Sequence, residues 1–109
     1  MSRIKLTSWN VNGIRAVSKK GFFEWFEAHK PDVLGLQETK ISADQLTDEL
    51  TKRKGYKSYF AHAERRGYSG VGIYTKIEPL TVQEGFGVKR FDDEGRTLVA
   101  DYGDFLLAN

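Results

Sequence analysis

An α/β domain with a mixed sheet is the fold class that this 109-residue sequence predicts, on three observations. Apolar and polar side chains alternate over residues 4 to 9, the period of a half-buried strand. Phe22, Phe23, Trp25, Phe26, Ala28 and His29 then recur at helical spacing until Pro31 stops the helix before Asp32. Val33-Leu34-Gly35-Leu36 follows as an unbroken apolar run, as expected of a strand covered on both faces.

Strand, crossover helix and strand make a parallel unit, so both strands end on the same side of the sheet. Asn10 through Gly13 end the first strand, because Asn and Gly tolerate the left-handed backbone of a turn. A further helix is predicted from Ser42, with Gln45 three residues on as a capping box, and Leu46 and Leu50 as its apolar face through about residue 53. Lys54-Gly55 closes it. Strands are then predicted over residues 56–62, 71–75, 80–88, 97–102 and 105–108, separated by glycine-bearing turns. Repeats, low-complexity tracts and interdomain linkers are absent from the sequence, and residues 1–109 read as one domain.

The parallel unit brings Asn10, Asn12 and Glu38 to one place, outside the carboxyl ends of the strands, where such units bind ligands. One carboxylate and two amides suit magnesium, a hard cation that takes oxygen ligands and keeps water and substrate phosphate in its other positions; manganese suits the same donors. With no Cys and only His29 and His62, a structural zinc site is excluded on composition. Taken singly, an Asn pair after a strand also reads as a plain turn, and a Glu before a helix as a solvated dipole partner.

The formal net charge is only +2, but its distribution is uneven. Residues 1–20 hold Arg3, Lys5, Arg15, Lys19 and Lys20 with no acidic residue. Residues 51–66 hold Lys52, Arg53, Lys54, Lys57, Arg65 and Arg66 against Glu64 alone. Such clusters attract a phosphate backbone, although a solvated face explains residues 51–57 equally well. The Phe22, Phe23, Trp25 and Phe26 stripe reads as core rather than a base-stacking platform, and Trp9 as packing support. His29 is placed to favour the helix dipole, and His62 stands at a strand end without partners; neither enters the site. At 39% apolar and 29% charged, with no run long enough to span a bilayer, the composition is that of a globular chain with no membrane partner. Met1-Ser2-Arg3 lead almost directly into the first strand, so no signal peptide is expected, and a cytoplasmic location of bacterial type is.

Four stretches carry a likeness to a known family: Ser8 to Ala16, Pro31 to Lys40, Gly67-Tyr68-Ser69-Gly70-Val71-Gly72, and Glu94-Gly95-Arg96. In order and approximate spacing the chain resembles the exonuclease III type of apurinic/apyrimidinic endonuclease, within the DNase I-like endonuclease/exonuclease/phosphatase superfamily. The resemblance implies that the chain forms the N-terminal half of a four-layer α/β/β/α sandwich. It implies that Glu38 binds magnesium, and that Asn10 and Asn12 surround the metal and the scissile phosphate. Arg15, Ala16, Lys19 and Lys20 match a loop that grips the DNA backbone, Gly67 and Tyr68 a second contact loop, and Arg96 a further basic position facing nucleic acid. The implied reaction is hydrolysis of the phosphodiester 5′ to an abasic site in duplex DNA, with 3′ to 5′ exonuclease and 3′-phosphatase activity acting at 3′ ends.

Family chains are more than twice this length, and their general-base aspartate and Asp-His pair would lie beyond Asn109. Phe105-Leu106-Leu107-Ala108-Asn109 also starts an apolar strand without a closing signal, so the chain is expected to stop within a core strand. The expected partners are duplex DNA and the missing C-terminal half, with the full-length protein a monomer. The 109-residue chain alone is expected to turn over negligibly. Two rivals stand beside this reading. A phosphodiesterase or phosphatase acting on a lipid or nucleotide shares the Asn and Glu pattern but has no use for Arg15 and Lys20. A non-catalytic half-domain keeps the basic surface without turnover.

Overall fold

The computed structural model describes residues 4–65, 67–85 and 95–109. Strand β1 (Leu6–Asn10) leads to helix α1 (Ile14–Ser18), helix α2 (Phe22–His29) and strand β2 (Val33–Gln37). A single 3-10 turn (Ala43–Gln45) and helix α3 (Asp48–Thr51) precede β3 (Lys57–Ala61), β4 (Val71–Thr75), β5 (Thr81–Glu84), β6 (Leu98–Asp101) and β7 (Leu106–Ala108).

The strands form two sheets, ordered β1-β2-β4-β3 and β5-β6-β7. In the first, β1 and β2 are parallel, with Leu6 opposite Val33 and Asn10 opposite Gln37, while β4 runs antiparallel to both β2 and β3. The mixed sheet and its parallel unit are therefore as the sequence predicts.

Alternation along β2 explains its unbroken apolar run, since each face meets a different layer. Leu34 and Leu36, with Tyr74 of β4, face the helices and pack with Ile14, Phe22, Phe23, Phe26 and Leu50. Val33 and Ile73 face the other way and pack with Leu98 and Ala100 of the second sheet. Helices, first sheet and second sheet thus form three consecutive layers. Fully burying a Leu, Ile or Phe contributes roughly 1.5–3 kcal/mol, so these two clusters hold the layers together.

Two expectations about local structure are corrected. The resemblance implies a loop that carries Arg15, Ala16, Lys19 and Lys20, yet Ile14–Ser18 is helical, because fully buried Ile14 turns its side chain into the core while its N–H bonds the Thr39 carbonyl at 3.0 Å. The helix expected from Ser42 to about residue 53 is broken in two. Gln45 does accept the Ser42 N–H at 3.1 Å, but Leu46 is extended (φ −71°, ψ 120°) and Thr47 begins a new helix. The capping signal was correct and closes one turn only. Arg3, Arg66, Glu94 and residues 86–88 of the expected fifth strand lie outside the described residues.

Candidate active-site cleft

Because β1 and β2 are parallel, their last residues Asn10 and Gln37 stand side by side, and the ladder continues into the loops. Val11 N–H bonds the Gln37 carbonyl at 3.0 Å, and Gly13 N–H bonds that of Glu38 at 2.8 Å. On its other side the same loop meets the segment before β4: Thr39 N–H donates to the Gly70 carbonyl at 3.1 Å, and Lys40 N–H to that of Ser69 at 2.7 Å. Glu38 is therefore carried on backbone clamped from both flanks.

That clamp holds an unusual backbone. Asn12, Glu38, Lys40 and Ser69 all sit at positive φ, between 48° and 54°. Asn tolerates the left-handed region, whereas each of the others costs about 1–2 kcal/mol there. Such outliers gathered at one strand end are a mark of a functional site, held by surroundings that over-determine them.

Within the loops the side chains form a connected set. Asn10 Nδ2 donates to Glu38 Oε2, while Asn10 Oδ1 accepts the Asn12 N–H at 3.1 Å. Lys40 Nζ donates to Asn12 Oδ1 at 2.5 Å and lies 4.0 Å from Glu38 Oε1. The structure thus brings together Asn10, Asn12 and Glu38, and adds Lys40, a residue inside the recognised motif to which no role had been given.

Glu38 opens onto a cleft of about 210 Å³ that Asn10, Gln37, Ser69, Gly70 and Arg96 also line. Arg96 Nη2 donates to the Tyr68 hydroxyl at 2.9 Å, and Arg65 lies 5.3 Å from the Tyr68 ring centre. One carboxylate and one guanidinium therefore share the cleft, a pairing that suits a cation and a phosphate bound side by side. Tyr68 meets the cleft through Arg96, and neither Gly67 nor Tyr68 lines it. Arg15 and Ala16 are exposed on α1, directly after the Ile14 N–H that is tied to the Glu38 loop. Lys19 and Lys20 are exposed at the far end of that helix, about 7 Å along its axis, and do not line the cleft.

The donor set can be tested for a metal. Among the described residues no group of three His, Cys, Asp or Glu side chains converges. One partly exposed carboxylate, with the second lone pair of the Asn10 amide oxygen, fits an oxygen-preferring ion that keeps waters and phosphate.

Sequence reasoning missed an amide clip beside the cleft. Asn109 Nδ2 donates to the Leu36 and Gly72 carbonyls at 3.1 and 2.8 Å, and its Oδ1 accepts from Gln37 Nε2 at 2.7 Å. Since the Asn109 backbone also pairs with Leu98 of β6, this residue ties the second sheet to the first next to Gln37. Among the histidines, His29 bonds the Trp25 carbonyl at 2.9 Å. His62 is not partnerless as expected: its Nδ1 lies 2.8 Å from the Ile41 carbonyl. Neither lines the cleft.

Comparison with known proteins follows the same lines. The sequence model described as the Endonuclease/Exonuclease/phosphatase family matches residues 7–109. An exodeoxyribonuclease of Bacillus subtilis is 40% identical over 105 residues, which is 95% of this chain and 40% of that protein. An AP endonuclease structure from Archaeoglobus fulgidus superposes with a TM-score of 0.83 at 30% identity, covering 98% of this chain and 40% of that one. A 3′ phosphatase from Neisseria bound to a product DNA hairpin superposes with a TM-score of 0.81 at 25% identity, again over 98% and 40%. The chain spans well under half the length of each. Among the described residues no helix is long and apolar enough to cross a membrane.

Proposed function

The chain belongs to the endonuclease/exonuclease/phosphatase family, and from that premise we propose that it carries the metal- and phosphate-binding part of a DNA repair nuclease. The observation that carries this reading is the cleft at the carboxyl ends of two parallel strands that Glu38, held by Asn10, lines together with Arg96. The reaction is hydrolysis of the phosphodiester 5′ to an abasic site in duplex DNA, with action at 3′ ends as exonuclease and phosphatase. Water adds to phosphorus, the bond to the 3′ oxygen breaks, and that oxygen leaves as a hydroxyl.

Glu38, assisted by the Asn10 amide oxygen, would hold magnesium, which when bound polarises the phosphoryl oxygen and stabilises the departing 3′ oxygen. Asn10 keeps one Glu38 oxygen hydrogen-bonded, so the carboxylate holds a single orientation. Asn12 is fixed by Lys40 and sits at the edge of the site, where its amide can meet the phosphate. Arg96 offers a planar fork to a phosphate, and Tyr68 orients that fork. Arg15 and Ala16 on α1 and Lys19 and Lys20 just after it, with Gly67 and Tyr68, grip the backbone to either side.

The groups that prepare the attacking water are assigned to a C-terminal half that this chain lacks. In support, β1 and β7 are edge strands whose Leu6 and Leu106 are 51% and 68% exposed, an apolar margin suited to further structure. The complete protein would act in the cytoplasm as a monomer. The test is a duplex with one abasic site. Natural-length protein should nick 5′ to the lesion in magnesium and not in EDTA, with residues 1–109 alone inactive. Binding that is insensitive to salt would favour a lipid or nucleotide substrate, because neutralised DNA phosphates make affinity fall steeply with salt.

A further inference from the structure

A second cavity, of about 530 Å³, lies at the opposite end of the first sheet from Glu38. Its position follows from the topology. Lys30 precedes β2, Tyr56 precedes β3 and Lys76 follows the antiparallel β4, so all three gather at the amino end of β2, about 15 Å from the cleft. This size falls in the roughly 300–1,000 Å³ range of ligand-binding clefts.

Four cations, Lys30, Arg53, Lys54 and Lys76, rim it beside the carboxylate of Glu27, and the Asp32 carboxylate lies 4.0 Å from Lys76 Nζ. Two of them have evident structural work. Arg53 pairs with Glu27 at 2.9 Å and lies 3.8 Å from the Phe23 ring centre, and Lys76 Nζ caps α2 by donating to the Lys30 carbonyl at 2.9 Å. Lys30 and Lys54 are exposed, and their ammonium groups have no partner among the described residues. Lys30 also occupies the left-handed C-cap of α2 at φ 46°, a position where glycine is the usual choice.

The floor is Phe26 and Tyr56, with ring centres 4.5 Å apart. Tyr56 points its hydroxyl inward to the Pro31 carbonyl at 2.6 Å, has Phe26 against its ring, and carries the Lys76 ammonium 5.8 Å from its ring centre. Phe26 is tilted at 50° to that ring rather than stacked on it, and Tyr56 stays half-buried. What remains is apolar edge and lysine methylene beneath a positive rim, which complements an apolar side chain flanked by carboxylates.

We propose that this cavity is a docking site for an acidic peptide segment of a partner protein, seating one apolar residue against the half-buried edge of Tyr56, which buried Phe26 backs, and pairing its carboxylates with Lys30 and Lys54. The site is independent of the nuclease cleft. It would recruit the enzyme without occupying the surface offered to DNA.

The experiment is fluorescence anisotropy on the natural-length protein with a labelled peptide of four aspartates ending in phenylalanine. Saturable binding is expected, weakened about tenfold or more by Lys30→Glu with Lys54→Glu, and also when asparagines replace the aspartates. Both substituted lysines are exposed, and unchanged nicking of an abasic duplex by the variant would verify that it is folded. Lys30→Ala with Lys54→Ala, which removes charge without reversing it, should weaken binding in the same direction. Absence of saturable binding, equal affinity in the charge-reversed protein, or displacement by a mononucleotide or an oligonucleotide at the peptide's own concentration would overturn the proposal.

Discussion

Replacing Gly70 by alanine probes the clamp that shapes the cleft. Gly70 lies at φ 88°, and a Cβ built there falls 2.4 Å from Thr39 Oγ1 and 3.4 Å from the Ala61 carbonyl oxygen. Thr39 is fully buried and β-branched, so its hydroxyl cannot swing aside without leaving its rotamer. Alanine at positive φ costs about 1–2 kcal/mol, and forcing a methyl into a packed space costs about 1–3 kcal/mol more. Gly70→Ala should therefore lose roughly 2–5 kcal/mol of stability by these two costs in urea unfolding. The displaced 69–70 segment should also loosen Glu38, weakening divalent-ion binding measured by titration calorimetry. Gly55→Ala supplies the control: Gly55 has φ 84° with nothing within 4 Å of its Cβ, so only the backbone cost applies. Equal losses in the two variants, with ion affinity unchanged at Gly70, would refute the clamp.

Three other outcomes follow from the same contacts. The Thr39 hydroxyl is buried without a hydrogen-bond partner among the described residues, so Thr39→Val should stabilise by about 1 kcal/mol; a loss in thermal unfolding would mean the hydroxyl is satisfied. Arg96→Ala should lower the slope of log affinity against log salt for duplex DNA by about one, and an unchanged slope would remove Arg96 from the phosphate path. Burial pushes the Tyr74 phenol well above its ordinary value, so it stays protonated when folded at a pH where the unfolded chain has ionised. Its contribution is complete below pH 10 and is lost as pH rises further. Alkaline denaturation should thus be shallower in Tyr74→Phe than in the native chain, and identical pH profiles would count against that assignment.

How much of this was legible in the sequence depended on the range of the interaction. Convergence of Asn10 and Glu38 could be read because a strand, helix and parallel strand leave no other place for the two strand ends. The core helix stripe was equally plain, since Phe22, Phe23 and Phe26 repeat at the helical period and are buried. The left-handed Glu38, Lys40 and Ser69 were not, because only glycine and asparagine announce that conformation and these three adopt it under tertiary constraint. Asn109 gave no signal either: its bonds to Leu36 and Gln37 cross 73 and 72 residues and depend on how two sheets face one another. The break at Leu46 went unread for a related reason, since capping residues mark where a helix starts and say nothing of its length.

Charge was the weakest guide. A net charge of +2 conceals a division of labour: Arg96 lines the cleft, Arg53 and Lys76 staple the helices, and Lys30 and Lys54 remain exposed at the far end of the sheet. Geometry, rather than the number of basic residues, separates these roles.

The most direct test of the account is incision by natural-length protein carrying Glu38→Gln, on a duplex with one abasic site, across a magnesium titration. The amide keeps the shape of the side chain and removes its charge, so the account predicts that ion affinity and incision fall together while duplex binding at fixed salt persists. Magnesium-dependent incision at the native rate in that variant would contradict it.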